Sequence, residues 1–175
     1  SGSVFVKQFP RHPEVTSPGG FPPGITVENI LDRQSPGNRR LAEAFARCGL
    51  IERSGQGMNR IFEESIRQSK PLPNFAGSDG RHVRVDLRGE VQNSAFIRFL
   101  EKVGAERMAG FATQDFLVLD LLQREQPVPE VLRARFPHLA QFGIVERAGR
   151  GRYILSRDLY AHLGQKGTDT RILGL

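Results

Sequence analysis

The chain has 175 residues, of which 38% are hydrophobic and 25% are charged, with a formal net charge of +6 at pH 7. This length allows one large domain or two small ones. No apolar run approaches a membrane span, and the lone cysteine, Cys48, excludes an internal disulfide, so we expect a cytoplasmic protein with no membrane partner. The positive charge favours a polyanionic partner.

The first half of the chain predicts short strands and helices. Residues 1–3 are similar to the residues that protease cleavage leaves at the start of an expressed protein, so we expect a fragment of a longer protein. Residues 4–9 predict a strand, and the prolines and glycines of residues 10–24 predict a series of turns. Apolar spacing then predicts a helix from residue 38 that ends at Gly49, with Cys48 on its buried face.

A further helix is predicted from Gly57, and residues 83–87 alternate as a half-buried strand. Asn93 is predicted to cap a helix that ends near Val103. Residues 104–110 contain a glycine at each end, and we predict that they link two modules.

The second module predicts three short helices and a hairpin. The helices begin at Thr113, at Pro129 and near Pro137, and Gly143 ends the third. Two strands, residues 144–147 and 152–156, enclose a glycine-rich turn at residues 148–151, and a terminal helix follows. This order predicts a winged helix-turn-helix, whose third helix and hairpin, the wing, contact DNA. Its predicted core residues are Leu132, Phe136, Leu139, Phe142 and Ile144.

Basic residues are concentrated in this segment, and Glu146 is its one acidic residue between residues 131 and 157. Arginine suits phosphate and guanine contacts, whereas His138 and Gln141 could reach base edges from the third helix. The predicted DNA-binding residues are Arg133, Arg135, His138, Gln141, Arg147, Arg150 and Arg152. Two alternatives stay open: the arginines could simply solubilise a small domain, and winged helices also serve as protein-binding modules.

Three ordered motifs in the first half carry a resemblance to a known family. They are Thr16-Ser-Pro-Gly-Gly-Phe-Pro-Pro-Gly-Ile-Thr26, Asn38-Arg39 and Gly49-Leu-Ile-Glu-Arg-Ser-Gly-Gln-Gly57. The region of about residues 4–66 resembles the C-terminal region of RecG-like ATP-binding proteins. These are predicted bacterial transcriptional regulators, described as ATP-dependent DNA helicase-related, with a Schlafen AlbA-type domain toward the N-terminus. A winged-helix domain usually follows this region at the C-terminus of these proteins.

The resemblance implies an α+β fold: a partial histidine-kinase-type ATPase-like α/β module followed by a winged helix-turn-helix domain. We assign residues 4–104 to the first, residues 111–164 to the second and residues 165–175 to a tail. The family's acidic and asparagine motif for magnesium does not occur here, nor does a Walker-type lysine loop. We therefore expect no cofactor in this chain, while the resemblance implies ATP and magnesium in a full-length protein.

Two glycines, Gly55 and Gly57, remain as nucleotide-binding candidates, because backbone N–H groups at a helix N-terminus can bind phosphate. The alternative is a tight turn into a packed helix. The histidines are isolated from one another, and one cysteine cannot build a thiolate site, so we predict neither a metal nor a catalytic residue.

Three hypotheses for function follow. The first is a DNA-binding fragment of a transcriptional regulator, with double-stranded DNA as its partner and a homodimer as its assembly. The second is a nucleotide-binding module, helicase-related, in which the winged helix mediates protein contacts. The third is an assembly module that uses the tail.

Overall fold

The computed structural model describes residues 2–33, 39–49 and 56–161. The chain divides into two compact units, one comprising Ser1–Ile66 and Lys70–Val91 and the other Arg67–Ser69 and Gln92–Leu175. Both units contain helices and strands, which confirms the α+β class predicted from the sequence. None of the helices in the described ranges has the length and apolar character needed to cross a membrane.

The first unit contains a three-stranded antiparallel sheet in the order β1-β2-β3. Its strands are β1 (Phe5–Gln8), β2 (Pro13–Pro18) and β3 (His82–Asp86). Val15 pairs with Val6 on one side and with Val85 on the other, so three valines lie in register across the sheet. Neighbouring β-branched side chains favour such pairing because they pack well on a pleated surface.

The central strand β2 lies within the range where the sequence analysis predicts turns, so that prediction is wrong for residues 13–18. Proline cannot donate to a strand ladder, but here Pro13 and Pro18 occupy the two ends of the strand. The residues between them, 14–17, keep their amide hydrogens. The carbonyl of Pro13 also accepts a hydrogen bond from the N–H of Leu87 at 3.1 Å. Prolines at these positions therefore border the strand without interrupting it.

Two helices, α1 (Arg39–Arg47) and α2 (Gln56–Arg67), lie between β2 and β3 in the sequence. Gly49 has φ +67, which is typical of a residue that ends a helix, as predicted. The predicted burial of Cys48 is wrong, because its side chain is exposed. Phe45, three residues before Cys48 and so on the same side of the helix, is 41% exposed as well, so helical spacing here does not indicate burial.

The second unit contains short helices and a two-stranded antiparallel sheet, β4-β5. Its elements are α3 (Ser94–Val103), α4 (Ala105–Met108), α5 (Thr113–Gln123), α6 (Glu130–Arg133), α7 (Phe136–Gln141), β4 (Val145–Arg147), a 3-10 turn (Gly149–Gly151), β5 (Tyr153–Leu155) and α8 (Arg157–Ala161). The unit includes α3, which the sequence analysis assigns to the first module. The predicted linker contains α4, whose Met108 is buried.

Aromatic side chains form much of the core of the second unit. Phe99 is fully buried, with its ring centroid 6.0 Å from that of Phe96 and 5.0 Å from that of Tyr160. Phe136 stacks on Tyr153 at 4.2 Å. Leu139 and Ile144 are also buried, as predicted. The prediction for Phe142 is wrong, because this side chain is 39% exposed, and Leu132 is only half-buried.

Asn93 caps α3, and we expect Asn93→Ala to lower the free energy of unfolding by about 1 kcal/mol. Its Oδ1 accepts hydrogen bonds from the N–H groups of Ala95 and Phe96, and its Nδ2 donates to Oε1 of Gln123. Urea denaturation measures the change. Ser94→Ala, at the exposed first residue of α3, is the matched control and should be near neutral. Equal stability of the two variants would contradict the capping role.

Candidate nucleic-acid interface

The hairpin of β4 and β5 projects two arginines beside its turn. Arg147 pairs with Tyr153 at the last position of the ladder, and the N–H of Ala148 donates to the carbonyl of Arg152 at 2.7 Å. The 3-10 turn then reverses the chain, with Gly151 at φ +74, a conformation that favours glycine. Arg147 and Arg152 consequently lie on either side of the turn.

Both arginines are exposed and have no carboxylate within salt-bridge distance among the described residues. The guanidinium of Arg147 lies 5.9 Å from the ring centroid of Tyr153. The nearby acid, Glu146, binds Arg157 instead: its Oε1 is 3.3 Å from Nε of Arg157, and its Oε2 accepts from the backbone N–H of Arg157 at 3.3 Å. No carboxylate of the described residues therefore neutralises the charge of Arg147 or Arg152.

Two other predicted residues lie on the surface of the helices. Arg133 is exposed at the end of α6, where its Nε donates to the carbonyl of Val128 at 3.1 Å. Its remaining guanidinium N–H groups can still bind an external anion. Gln141 is exposed at the last position of α7, just before Gly143 (φ +66). Both side chains are accessible to a ligand.

Arg135 is instead bound to the buried carboxylate of Asp115, which is 0% exposed. Its Nε donates to Oδ1 at 2.8 Å and its Nη2 donates to Oδ2 at 2.6 Å, a bidentate ion pair that joins the residue preceding α7 to α5. The backbone N–H of Ala112 also donates to Oδ2 at 2.9 Å. Although Arg135 is 34% exposed, two of its five N–H donors and its charge are engaged by Asp115 within the protein.

The environment of Asp115 sets its charge state. Burial alone would raise the pKa of Asp115, but the hydrogen bonds from Arg135 and from the N–H of Ala112, with the nearby positive charge, lower it below its ordinary value. The hydrogen bond to Asp115 raises the pKa of Arg135. Both groups are thus charged at neutral pH, and their ion pair stabilises the start of α7.

His138 lies in the same cluster. Its Nδ1 is 3.5 Å from Oδ1 of Asp115, and 32% of its side chain is exposed. Phe111 and Phe142 meet the imidazole edge to face, at centroid distances of 6.2 and 5.1 Å. The structure therefore brings Arg135 and His138 together around Asp115, whereas Arg147 and Arg152 lie at the hairpin.

The sequence analysis missed Asp115. The available signal was an acidic residue at the third position of a predicted helix, which is typical of a cap and does not indicate a partner 20 residues away. The side chain of Arg150, all of Gly55 and residues 162–175 lie outside the described residues. Gly57 is an exposed residue of the first turn of α2. The described ranges contain no group of three His, Cys, Asp or Glu side chains that could hold a metal ion.

Comparison with known proteins bears on the first unit. Residues 2–87 match the family described as "Putative ATP-dependent DNA helicase recG C-terminal". This part of the chain is therefore similar to a RecG-like, helicase-related family. It covers the three-stranded sheet, α1 and α2. A search of curated proteins finds no match.

A solved structure, that of the DIP2311 protein from Corynebacterium diphtheriae, is similar in fold, with a TM-score of 0.67 and 23% sequence identity. The similarity covers 85% of this chain and 35% of the DIP2311 chain, so this chain spans about a third of that protein. At this identity the comparison concerns the fold alone.

Proposed function

We propose that this chain is the DNA-binding part of a cytoplasmic bacterial transcriptional regulator, and that its second unit acts as a winged helix. Helices α5, α6 and α7 precede the β4-β5 hairpin, which is the element order of that fold. In such a domain α7 enters the major groove and the hairpin lies on the adjacent backbone. The observation that carries the proposal is the exposed, locally unneutralised pair Arg147 and Arg152.

The chemistry favours phosphate contacts over base contacts. Arginine presents a planar, permanently charged group that binds phosphate oxygens with two N–H donors. Arg133, Arg147 and Arg152 are exposed and are the main candidates, with Arg150 added from the sequence. The candidates for contacts with base edges are Gln141 and His138 on α7. This helix has six residues, with Pro137 in its first turn. We expect modest sequence preference and strong dependence on salt.

Binding of a fluorescent duplex, followed by anisotropy over a range of salt concentrations, tests the proposal. The affinity should fall linearly on a logarithmic plot against salt, because each phosphate contact releases counterions. Arg147→Ala with Arg152→Ala should weaken binding at least tenfold at low salt and reduce the slope by about 1.8, or roughly 0.9 for each lost contact.

The matched control removes the same charge elsewhere in the unit. Arg98→Ala with Arg107→Ala replaces two exposed arginines of α3 and α4 and should leave the slope almost unchanged. If both double variants lose affinity equally, only net charge matters and the hairpin assignment fails. If the unaltered chain shows no salt-sensitive binding, the proposed function itself fails.

A homodimer would present two such units to DNA. Helix-turn-helix dimers bind half-sites whose centres are about one helical turn apart, so the symmetry of the protein is matched in the operator. Light scattering with and without duplex measures the stoichiometry. Two chains on one duplex with two half-sites is the expected result.

Nucleotide binding by the first unit is the second candidate, favoured by the printed family description of residues 2–87. Gly57 lies in the first turn of α2, where free N–H groups can bind phosphate. Calorimetric titration with ATP and magnesium separates the two functions. We expect no saturable heat from this chain, and clear saturation would favour the nucleotide-binding function.

A further inference from the structure

The side chain of His138 is partly buried and partly exposed on α7, the helix proposed to enter the major groove. Its Nδ1 lies 3.5 Å from the Asp115 carboxylate, is fully buried and has no hydrogen-bond partner. The side chain as a whole is nevertheless 32% exposed. The exposed surface must therefore belong to the other side-chain atoms, which include Nε2.

The ring is held in this orientation by its neighbours. Phe111 packs edge to face with the imidazole at an interplanar angle of 67°, and Phe142 does so at 76°. Leu139, the next residue of α7, is fully buried and anchors the helix. Turning the imidazole by 180° about its Cβ–Cγ bond would put the Cδ2 carbon in place of Nδ1 beside Asp115 and lose this contact.

Asp115 is the one carboxylate within 4 Å of this ring among the described residues. Arg135, which binds the same carboxylate, is the cation of the cluster. On α5, the other acidic residue, Asp120, binds Arg124 rather than His138.

The charged side chains of β4, which packs against α7, contact residues other than His138. Glu146 binds Arg157, and Arg147 lies over the ring of Tyr153. Among the described residues, Asp115 and its partner Arg135 are therefore the charged groups shown beside His138.

We propose that Asp115 is a positioning residue that holds the Nδ1 side of His138, so that protonated His138 donates from Nε2 to an acceptor on duplex DNA. The acceptor is a phosphate oxygen or the N7 or O6 of guanine. A neutral imidazole with its proton on Nδ1 offers only an acceptor at Nε2 and cannot donate to these atoms. This inference rests on the proposed DNA-binding function.

The consequence is DNA binding that strengthens as the pH falls, because a second proton on the imidazole supplies the N–H donor at Nε2. At constant salt, the affinity should rise about tenfold between about pH 8 and about pH 6, the effect of one charge-assisted hydrogen bond. His138→Gln, which keeps a polar side chain of similar length without the titration, should reduce this change to less than about twofold.

Two further variants complete the experiment. His82→Gln removes an exposed histidine of β3 and should keep the full pH dependence. Asp115→Asn removes the carboxylate that orients the ring, and it should lose the pH dependence as His138→Gln does, with its folding checked by circular dichroism. If the asparagine variant does not fold, the comparison of His138→Gln with His82→Gln still decides the question.

The outcomes separate this inference from the proposed function. Salt-sensitive binding with the same pH dependence in His138→Gln would overturn the inference and leave DNA binding intact. Absence of binding to any duplex at pH 6 would overturn both. A duplex of A·T pairs alone tests the guanine acceptors: pH dependence confined to G·C-containing duplexes assigns guanine, and pH dependence that persists on A·T pairs excludes guanine N7 and O6 as the required acceptors.

Discussion

Replacing Phe99 by alanine is expected to lower the free energy of unfolding of the second unit by about 4 kcal/mol. The side chain is fully buried between the rings of Phe96 and Tyr160. Removing it costs the transfer free energy of the ring and leaves a cavity that rigid neighbours cannot fill. Urea denaturation followed by circular dichroism measures the loss as a lower midpoint.

The same variant should alter the titration of a tyrosine. Burial raises the pKa of Tyr160 to about 12, and loss of the Phe99 ring would expose one face of the phenol. We expect the pKa to fall toward the ordinary value of about 10 in phenolate absorbance. Val131→Ala, at a side chain that is 83% exposed, is the control and should change neither quantity appreciably. A stable Phe99→Ala variant would contradict the assigned core.

Asp115→Ala is expected to cost about 3 kcal/mol at neutral pH. The substitution leaves the Arg135 guanidinium without its bidentate partner and the N–H of Ala112 without its acceptor. We expect the lower end of the range for a broken buried pair, because Arg135 is partly exposed and water can reach it. Asp158→Ala, an exposed aspartate of α8, is the matched control.

The effect of Asp115→Ala should depend on pH in a defined direction. The pKa of Asp115 is lower in the folded chain than in the unfolded chain, so the unfolded chain takes up the proton first as the pH falls. The stabilising contribution is complete above the ordinary aspartate pKa of about 4 and is lost below it. Unfolding measured across this range should show the two chains converging in acid. A constant difference would show that the carboxylate charge is unimportant.

Several local elements could be predicted from the sequence because their causes lie within a few residues. Asn93 begins α3 because its side chain accepts from N–H groups two and three residues ahead. Gly143 and Gly151 occupy positive-φ positions at the end of α7 and in the hairpin turn. Short-range capping and turn chemistry of this kind can be recognised without knowledge of tertiary contacts.

The candidate interface could be predicted only in part. The excess of arginine after residue 131 is visible in the sequence, but the arginines are chemically equivalent there. In the structure Arg135 is bound by Asp115 and Arg157 by Glu146, whereas Arg147 and Arg152 have no carboxylate partner among the described residues. Which guanidinium groups are available to DNA depends on contacts between distant positions, and no periodicity encodes them.

The sequence by itself determined the helices of the second unit other than α4 and the glycine turn between two arginines, because these follow from spacing, capping and backbone freedom. The α+β class followed from the family resemblance. Only the tertiary structure decided that residues 13–18 form the central strand β2, since a strand bounded by prolines exists through its neighbours on both sides. It also decided that Cys48 is exposed and that Asp115 joins α5 to Arg135, because burial and long-range ion pairs arise only when elements pack together.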